Sequence, residues 1–163
     1  VVVKDTTLKL GIHADGGHGS HDDYKGQTGV AIFLGCNLIA IICRKQSLQT
    51  HSSAETELVS IAEAVRRGLL IKAIAVDMGA EVNIGRKTPV YQDNQSAITI
   101  VNRGHGTNRH IGKRFAYIKD DIDAGNIVLV YKPSKKLCAD VLTKALTGPL
   151  FHRHMQKLMG GPV

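Results

Sequence analysis

Four acidic positions carry the chemistry this sequence can offer: Asp15, Asp93, Asp140, and one of Glu55 or Glu57. None is distinctive alone, because an isolated Asp or Glu is ordinarily a solvated surface group or a helix cap. Their settings distinguish them. Asp15 closes the alternating stretch Leu8-Lys-Leu-Gly-Ile-His-Ala14 and is followed by Gly16-Gly17. Asp93 closes Thr88-Pro-Val-Tyr-Gln92 and precedes Asn94-Gln-Ser96, residue types that open helices. An acid at the carboxyl end of a strand, in front of a helix, sits where α/β sheets bind ligands. If the strands ending at Asp15 and Asp93 are parallel neighbours, both carboxylates leave the sheet at one edge, and Asp140, beginning the helix after the last strand, can approach it. Clustered carboxylates are costly unless a cation lies among them. Hard oxygen donors suit Mg²⁺ or Mn²⁺. Two such ions about 4 Å apart can activate a water and stabilise a leaving alkoxide in phosphodiester cleavage.

The fourth acid lies on a long helix that opens at Ser52 or Ser53. Its apolar positions Ala54, Leu58, Ile61, Ala62, Val65 and Leu69 recur at helical spacing. At about 100° per residue, Glu57 lies roughly 100° to one side of Leu58 and Glu55 about 60° to the other. Both flank the apolar stripe, so periodicity leaves the choice between them open.

The elements that must position these acids follow from pattern and turn chemistry. Strands are expected over Leu8–Ala14, Thr28–Leu34 and Asn37–Arg44, the last two joined by a hairpin turn at Gly35-Cys36-Asn37. The long helix runs to about Met78. A strand over Thr88–Asp93 and a helix over Asn94–Asn102 come next, then a basic loop, a helix over Ile111–Ala124 and a strand over Ile127–Lys132. That last strand is almost continuously apolar, which predicts burial on both faces. Helices over Leu137–Leu146 and Leu150–Met159 end the chain. The order predicts an α/β fold: one five-stranded mixed sheet, three antiparallel strands followed by two parallel ones, with helices on both faces. With 163 residues and neither repeats nor a long linker, residues 1–163 are expected to form a single domain.

Composition narrows the partners. Lys and Arg number 21 against 14 acids, a net charge of +7, which suits an anionic partner such as nucleic acid. The three Cys have no CxxC or Cys/His spacing and read as reduced thiols of an intracellular protein. Eight His without paired spacing argue against a zinc site. No apolar run reaches the length of a membrane span, so no membrane partner is expected. The chain opens without an initiator Met or a signal peptide, as a piece of a longer polypeptide would.

Several strings together resemble the RNase H domain of copia-type (pseudovirus) LTR-retrotransposon polyproteins, the segment that follows the reverse transcriptase. They are Ile12-His-Ala-Asp-Gly16, Arg44-Lys-Gln-Ser47, Ser52-Ser-Ala-Glu-Thr-Glu-Leu-Val59, Val90-Tyr-Gln-Asp-Asn-Gln-Ser-Ala97, Arg109-His-Ile111 and Ala139-Asp-Val-Leu-Thr-Lys-Ala-Leu146. The likeness runs from about Leu8 to Met159. It implies an RNase H-like fold and an endoribonuclease that hydrolyses the RNA strand of RNA–DNA hybrids with two Mg²⁺ ions. Matched motif by motif, it implies Asp15, Glu57, Asp93 and Asp140 as the catalytic and metal-holding set, with Glu57 preferred to Glu55. It also implies the reverse transcriptase domain of the same polyprotein as a partner and a cytoplasmic virus-like particle as the setting. The alternative is a catalytically inactive module of the same fold that binds nucleic acid or tethers the polymerase. One departure stands out: Gly17 and His18 occupy places where the family often has Asp and Trp. The loop Lys132-Pro-Ser-Lys-Lys136 has no His where many cellular RNases H carry one, and copia-type members generally lack it too.

An A-form-like hybrid is read through its minor groove, 2′-hydroxyls and phosphates. Ser53, Asn94 and Gln95 are short polar side chains near the acids that fit this task. Arg103, Arg109, His110, Lys113 and Arg114 form a basic cluster suited to phosphates, and of these Arg109, His110 and Lys113 are the candidate substrate contacts.

Overall fold

A computed structural model describes residues 8–80, 87–103 and 109–160, with the side chains of 109–111 outside the description. Strands β1 (Leu10–Gly17), β2 (Gln27–Leu34) and β3 (Asn37–Lys45) form an antiparallel meander, with Gly35 in the left-handed region at the tight turn between the last two. Helix α1 (Ser53–Asp77) follows, then β4 (Thr88–Gln92), α2 (Gln95–Arg103), α3 (Arg109–Asp123) and β5 (Ile127–Tyr131). Helix α4 (Gly148–Leu158) is the last, with Pro149 in its first turn where a missing N–H costs nothing. The sheet order is β3-β2-β1-β4-β5, with β4 parallel to both β1 and β5. This is the expected mixed sheet.

Alternation along the strands splits the core between the two faces. Ile12, Ala14, Val30 and Ile32 pack under α1 with Leu58, Ile61 and Val65, and α2 and α3 extend that layer through Val101, Phe115 and Ile118. Ala31 and Phe33 face the other way, against Cys138 and Leu158 from the chain's last segment. His13 is on this second face too, buried between the rings of Phe33 and Tyr91 at 5.4 and 4.9 Å.

Two elements depart from expectation. Strand β5 is not buried on both faces: Val128 and Tyr131 are exposed, because the topology puts β5 at the sheet edge. The expected helix over Leu137–Leu146 is instead a pair of 3₁₀ turns, Ser134–Lys136 and Cys138–Leu142, running into irregular chain. The N–H groups of Leu137, Asp140 and Thr143 each bond the carbonyl three residues back. Tight turns of this kind let Asp140 and Thr143 point at the sheet, where a regular helix would carry them around its axis.

One close approach sets the position of α1. Strand β1 continues two residues past Asp15, and a Cβ on Gly16 would lie 2.9 Å from the backbone of Thr56. Only a residue without a side chain lets the helix start this near the strand. Gly16→Ala is expected to cost about 1–3 kcal/mol in urea unfolding, since two backbones must part to admit the methyl group. His13 supplies a pH test. Burial, then the charges of Lys132 and Lys157, lower its pKa from 6.5 to about 2. A lowered base contributes stability that is present above 6.5 and lost as pH falls, because only the unfolded chain takes up the proton there. His13→Leu is therefore expected to flatten the decline in unfolding free energy between pH 6.5 and 5, by up to about 1.4 kcal/mol per pH unit.

Candidate active site

Asp15 leaves β1 at the edge where β4 ends, and its carboxylate is fully buried. Glu57 reaches the same edge from the first turns of α1. The start of that helix decides between the two glutamates. Ser52 Oγ accepts from the Glu55 N–H at 3.2 Å, and Glu55 Oε2 accepts in return from the His51 N–H at 2.7 Å. This reciprocal capping exchange occupies Glu55 at the helix mouth, and Glu57 turns to the sheet edge. Asp93 follows β4 directly. Ligand oxygens of Asp15, Glu57 and Asp93 all lie within 4.8 Å of one another.

Asp140 joins through Lys144. The Lys144 ammonium bonds the Asp140 carboxylate and lies 3.3 Å from Asp15 Oδ1 and 3.9 Å from Asp93 Oδ2. Thr143 Oγ1 donates to Asp15 Oδ2, and Ser134 Oγ donates to Asp93 Oδ2 at 2.6 Å. Asp15, Glu57 and Asp93 thus cluster at the sheet edge, and Lys144 links Asp140 to Asp15 and Asp93.

Gln92, fully buried at the end of β4, ties the site together. Its Nε2 donates to Glu57 Oε2 at 2.9 Å, while its Oε1 accepts from the N–H groups of Asp93 and Asn94 at 2.7 and 3.1 Å. It therefore orients Glu57 and shapes the turn that carries Asp93. Gln92, Thr143, Lys144 and Ser134 are residues that sequence reasoning missed as site members. Lys144 and Thr143 were in view within the Ala-Asp-Val-Leu-Thr-Lys string, and Gln92 was a polar residue in an otherwise apolar strand.

The other candidates divide. Ser53 and Asn94 line the cleft beside Glu57 and Asp93, together with Gly17, His18 and Ser20. Asn94 is also a cap, its Oδ1 accepting from the Ala97 N–H at 2.9 Å. Gln95 is exposed in the first turn of α2 and does not line the cleft. Lys113 lies in a separate groove of about 560 Å³ between β3, α1 and α3, with Arg44, Arg66 and Arg114. There Glu63 pairs with Arg44, Arg66 and Arg67 at 2.9–3.0 Å, which leaves the groove positive. The side chains of Arg109 and His110 lie outside the described residues. His18 occupies its family-divergent place through its Nδ1, 2.9 Å from Thr56 Oγ1, and a Cβ on Gly17 would crowd the Thr143 carbonyl at 3.0 Å.

The electrostatics fit a cation site. Burial, then the charges of Asp15 and Asp93, push Glu57 up to about 9. Asp15 is raised as well: burial outweighs the opposing pull of Lys144 and the Thr143 hydroxyl. Burial works against the Lys144 ammonium, yet its bond to Asp140 and the charges of Asp15, Asp140 and Asp93 hold its pKa above the usual range. Hard oxygen donors crowded until burial and like charge raise the pKa values of Glu57 and Asp15 are donors that a divalent cation would relieve.

No family model matches the chain. Its sequence is 27% identical over 158 residues to the retrovirus-related Pol polyprotein from transposon RE1 of Arabidopsis thaliana, covering 95% of this chain and 11% of that protein. It is 29% identical over 145 residues to the transposon Ty1-NL2 Gag-Pol polyprotein of Saccharomyces cerevisiae, covering 85% of this chain and 8% of that protein. The chain thus spans about a tenth of the length of these relatives. Among solved structures, LC11-RNase H1 in complex with RNA/DNA hybrid superposes with a TM-score of 0.57 at 16% identity, covering 82% of this chain and 93% of that one. The chain has the RNase H fold and is related to copia-type Pol polyproteins. No helix among the described residues is long and apolar enough to cross a membrane.

Glu57 supplies a direct test of the crowding. Its folded pKa lies above the unfolded value of 4.5, so the stability it contributes is full below 4.5 and is lost as pH rises toward 9. Glu57→Gln keeps the Gln92 contact and removes that loss. Without divalent ions the variant is expected to exceed the parent in thermal unfolding midpoint at pH 8, with little difference at pH 4.5. Added Mg²⁺ should raise the midpoint of the parent more than that of the variant.

Proposed function

We propose that the chain is an endoribonuclease that hydrolyses the RNA strand of RNA–DNA hybrids during retrotransposon reverse transcription, by two-metal-ion catalysis. The observation that carries this reading is the meeting of Asp15, Glu57, Asp93 and Asp140 at one sheet edge. In this reading those four residues hold two Mg²⁺ ions, or Mn²⁺ in their place. Bound there, the ions would supply the Lewis acidity that makes water a nucleophile at neutral pH and stabilises the leaving 3′ oxygen.

The chain's own groups do the rest. Gln92 holds Glu57 in one orientation and fixes the turn before Asp93, so the donors are set before substrate arrives. Lys144 returns one positive charge to a set of four acids, which keeps the cleft tolerable before cations enter. Ser53 and Asn94, at the cleft wall, are suited to the 2′-hydroxyl and backbone of the RNA strand, and Gln95 stands just outside them. Lys113, with Arg44, Arg66 and Arg114, offers a positive groove for phosphates of the DNA strand. Arg109 and His110 are assigned to the same task by their place at the start of α3. The RNA/DNA hybrid bound in the LC11-RNase H1 complex, on the same fold, supports this substrate class. The Pol relatives support a place next to a reverse transcriptase domain in one polyprotein, with residues 1–163 as its RNase H domain, working inside a cytoplasmic virus-like particle.

Labelled RNA–DNA hybrid, double-stranded RNA and duplex DNA, each with and without Mg²⁺, distinguish this reading from an inactive binding module. Cleavage of the hybrid's RNA strand alone, dependent on the ion, is the expected result. Asp93→Asn should reduce it by at least ~10²-fold, the scale of a lost electrostatic contact to the reacting centre, while far-UV circular dichroism stays unchanged. Hybrid binding without cleavage in the parent chain would favour the inactive module.

A further inference from the structure

A second charged site lies apart from the acid cleft, on the face of the sheet that carries His13, Phe33 and Tyr91. A cavity of about 350 Å³ there is lined by Lys132 at the end of β5, by Lys135 and Lys136 in the turn that follows, and by Arg153, His154 and Lys157 of α4. No carboxylate lines it. Among the described residues none of its five cations forms an ion pair, although every acid of the cleft and Glu63 has a cationic or hydrogen-bonding partner. Five like charges around one hollow repel one another, and such an arrangement is retained cheaply only where an anion enters it.

Three further observations bear on the occupant. His154 is 1% exposed, and its Nε2 has no hydrogen-bond partner among the described residues. Its ring lines the cavity, so the ring signals report on whatever enters the hollow. Lys132 lies over the Tyr91 ring at 4.3 Å and Lys157 over the Phe33 ring at 6.0 Å, so aromatic rings help fix where two of the ammonium groups stand. Burial, then the charge of Lys157, lowers Lys132 to about 8, a mark of the crowding that an anion would undo.

We propose that this pocket binds a phosphate group. A tetrahedral phosphate accepts hydrogen bonds from several directions and matches cations that converge from a strand end, a turn and a helix, whereas a planar carboxylate accepts within one plane. Two sources share this chemistry, the backbone of a nucleic-acid strand and a free nucleotide. The wall of the pocket is also the wall of the acid cleft, since the Lys132–Lys136 turn carries Ser134, whose hydroxyl binds Asp93. A strand leaving the cleft over that turn would bring its phosphates to these cations. The pocket itself stands on its own geometry and does not depend on the nuclease reading.

The test uses the whole chain without divalent ions and follows the His154 ring signals by NMR. Inorganic phosphate, adenosine 5′-monophosphate, a short single-stranded DNA and sodium acetate are titrated at matched ionic strength. A saturable phosphate response with half-saturation near ~1 mM, absent with acetate, is expected. Lys157→Met and Arg153→Met should each weaken it about tenfold, the scale of a lost charge-assisted hydrogen bond, while Lys157→Arg retains it. Equal unfolding midpoints of the variants guard against misfolding. Displacement of phosphate by the DNA, with the salt slope of DNA binding reduced by about 1 in either Met variant, assigns the site to a strand. Displacement by the mononucleotide alone assigns it to a free nucleotide. An absent or unsaturable phosphate response, an equal response to acetate, or binding that survives both Met substitutions together would overturn the proposal. Because cleavage is not read, failure here leaves the hybrid-cleavage assay untouched, and failure there leaves this one intact.

Discussion

Holding several carboxylates together at a buried sheet edge is the constraint to which the surrounding structure answers. Asp15, Glu57 and Asp140 are almost wholly shielded from water, and mutual repulsion is strongest where water is scarce. The fold meets that cost with particular groups. Lys144 places one ammonium among three of the acids, Thr143 and Ser134 donate hydroxyls, and Gln92 donates its amide to Glu57. Each is a neutral or positive group on an element adjoining the edge. What they leave uncompensated is expressed in the raised pKa values of Glu57 and Asp15, a cost that a divalent cation would relieve.

The same requirement explains local features that would otherwise look arbitrary. Gly16 lets α1 start against β1, which brings Glu57 beside Asp15. Gly29 does the same on the other face, where a Cβ would lie 2.9 Å from the Ala139 carbonyl, so the turn carrying Asp140 can sit on β2. The 3₁₀ geometry over Cys138–Leu142 aims Asp140 and Thr143 inward within a few residues. Strength of secondary structure has been given up near the site in exchange for the positions of side chains, a common pattern where function competes with stability.

Charge is sorted across the molecule as well. The acids gather at the end of β1 and β4, while positive charge gathers in two hollows, one between β3, α1 and α3 and the other between β5 and α4. The first contains a buried acid, Glu63, that binds three guanidinium groups; the second contains none. The sheet separates the two, so they face different parts of any polyanion that the chain meets.

Much of this was legible in the residues. Alternation and helical spacing located every strand and the four α-helices to within a few residues, because those periods are imposed by burial on one side of each element. The four acids were legible from their places at strand and helix ends and, for Glu57, from a resemblance. What the sequence by itself determined, then, was the order of elements and the places of Asp15, Asp93 and Asp140, which follow from local spacing, while spacing left Glu55 and Glu57 undivided. What only the tertiary structure decided was everything that depends on partners distant in the chain: that Ser52 and His51 engage Glu55 and leave Glu57 for the site, that β5 is an edge strand, that Leu137–Leu146 is bent into tight turns, and that Lys144 and Gln92 complete the cluster. Those outcomes turn on Coulomb and hydrogen-bond energies between groups brought together from opposite ends of the chain, and such energies leave no period in the sequence to read.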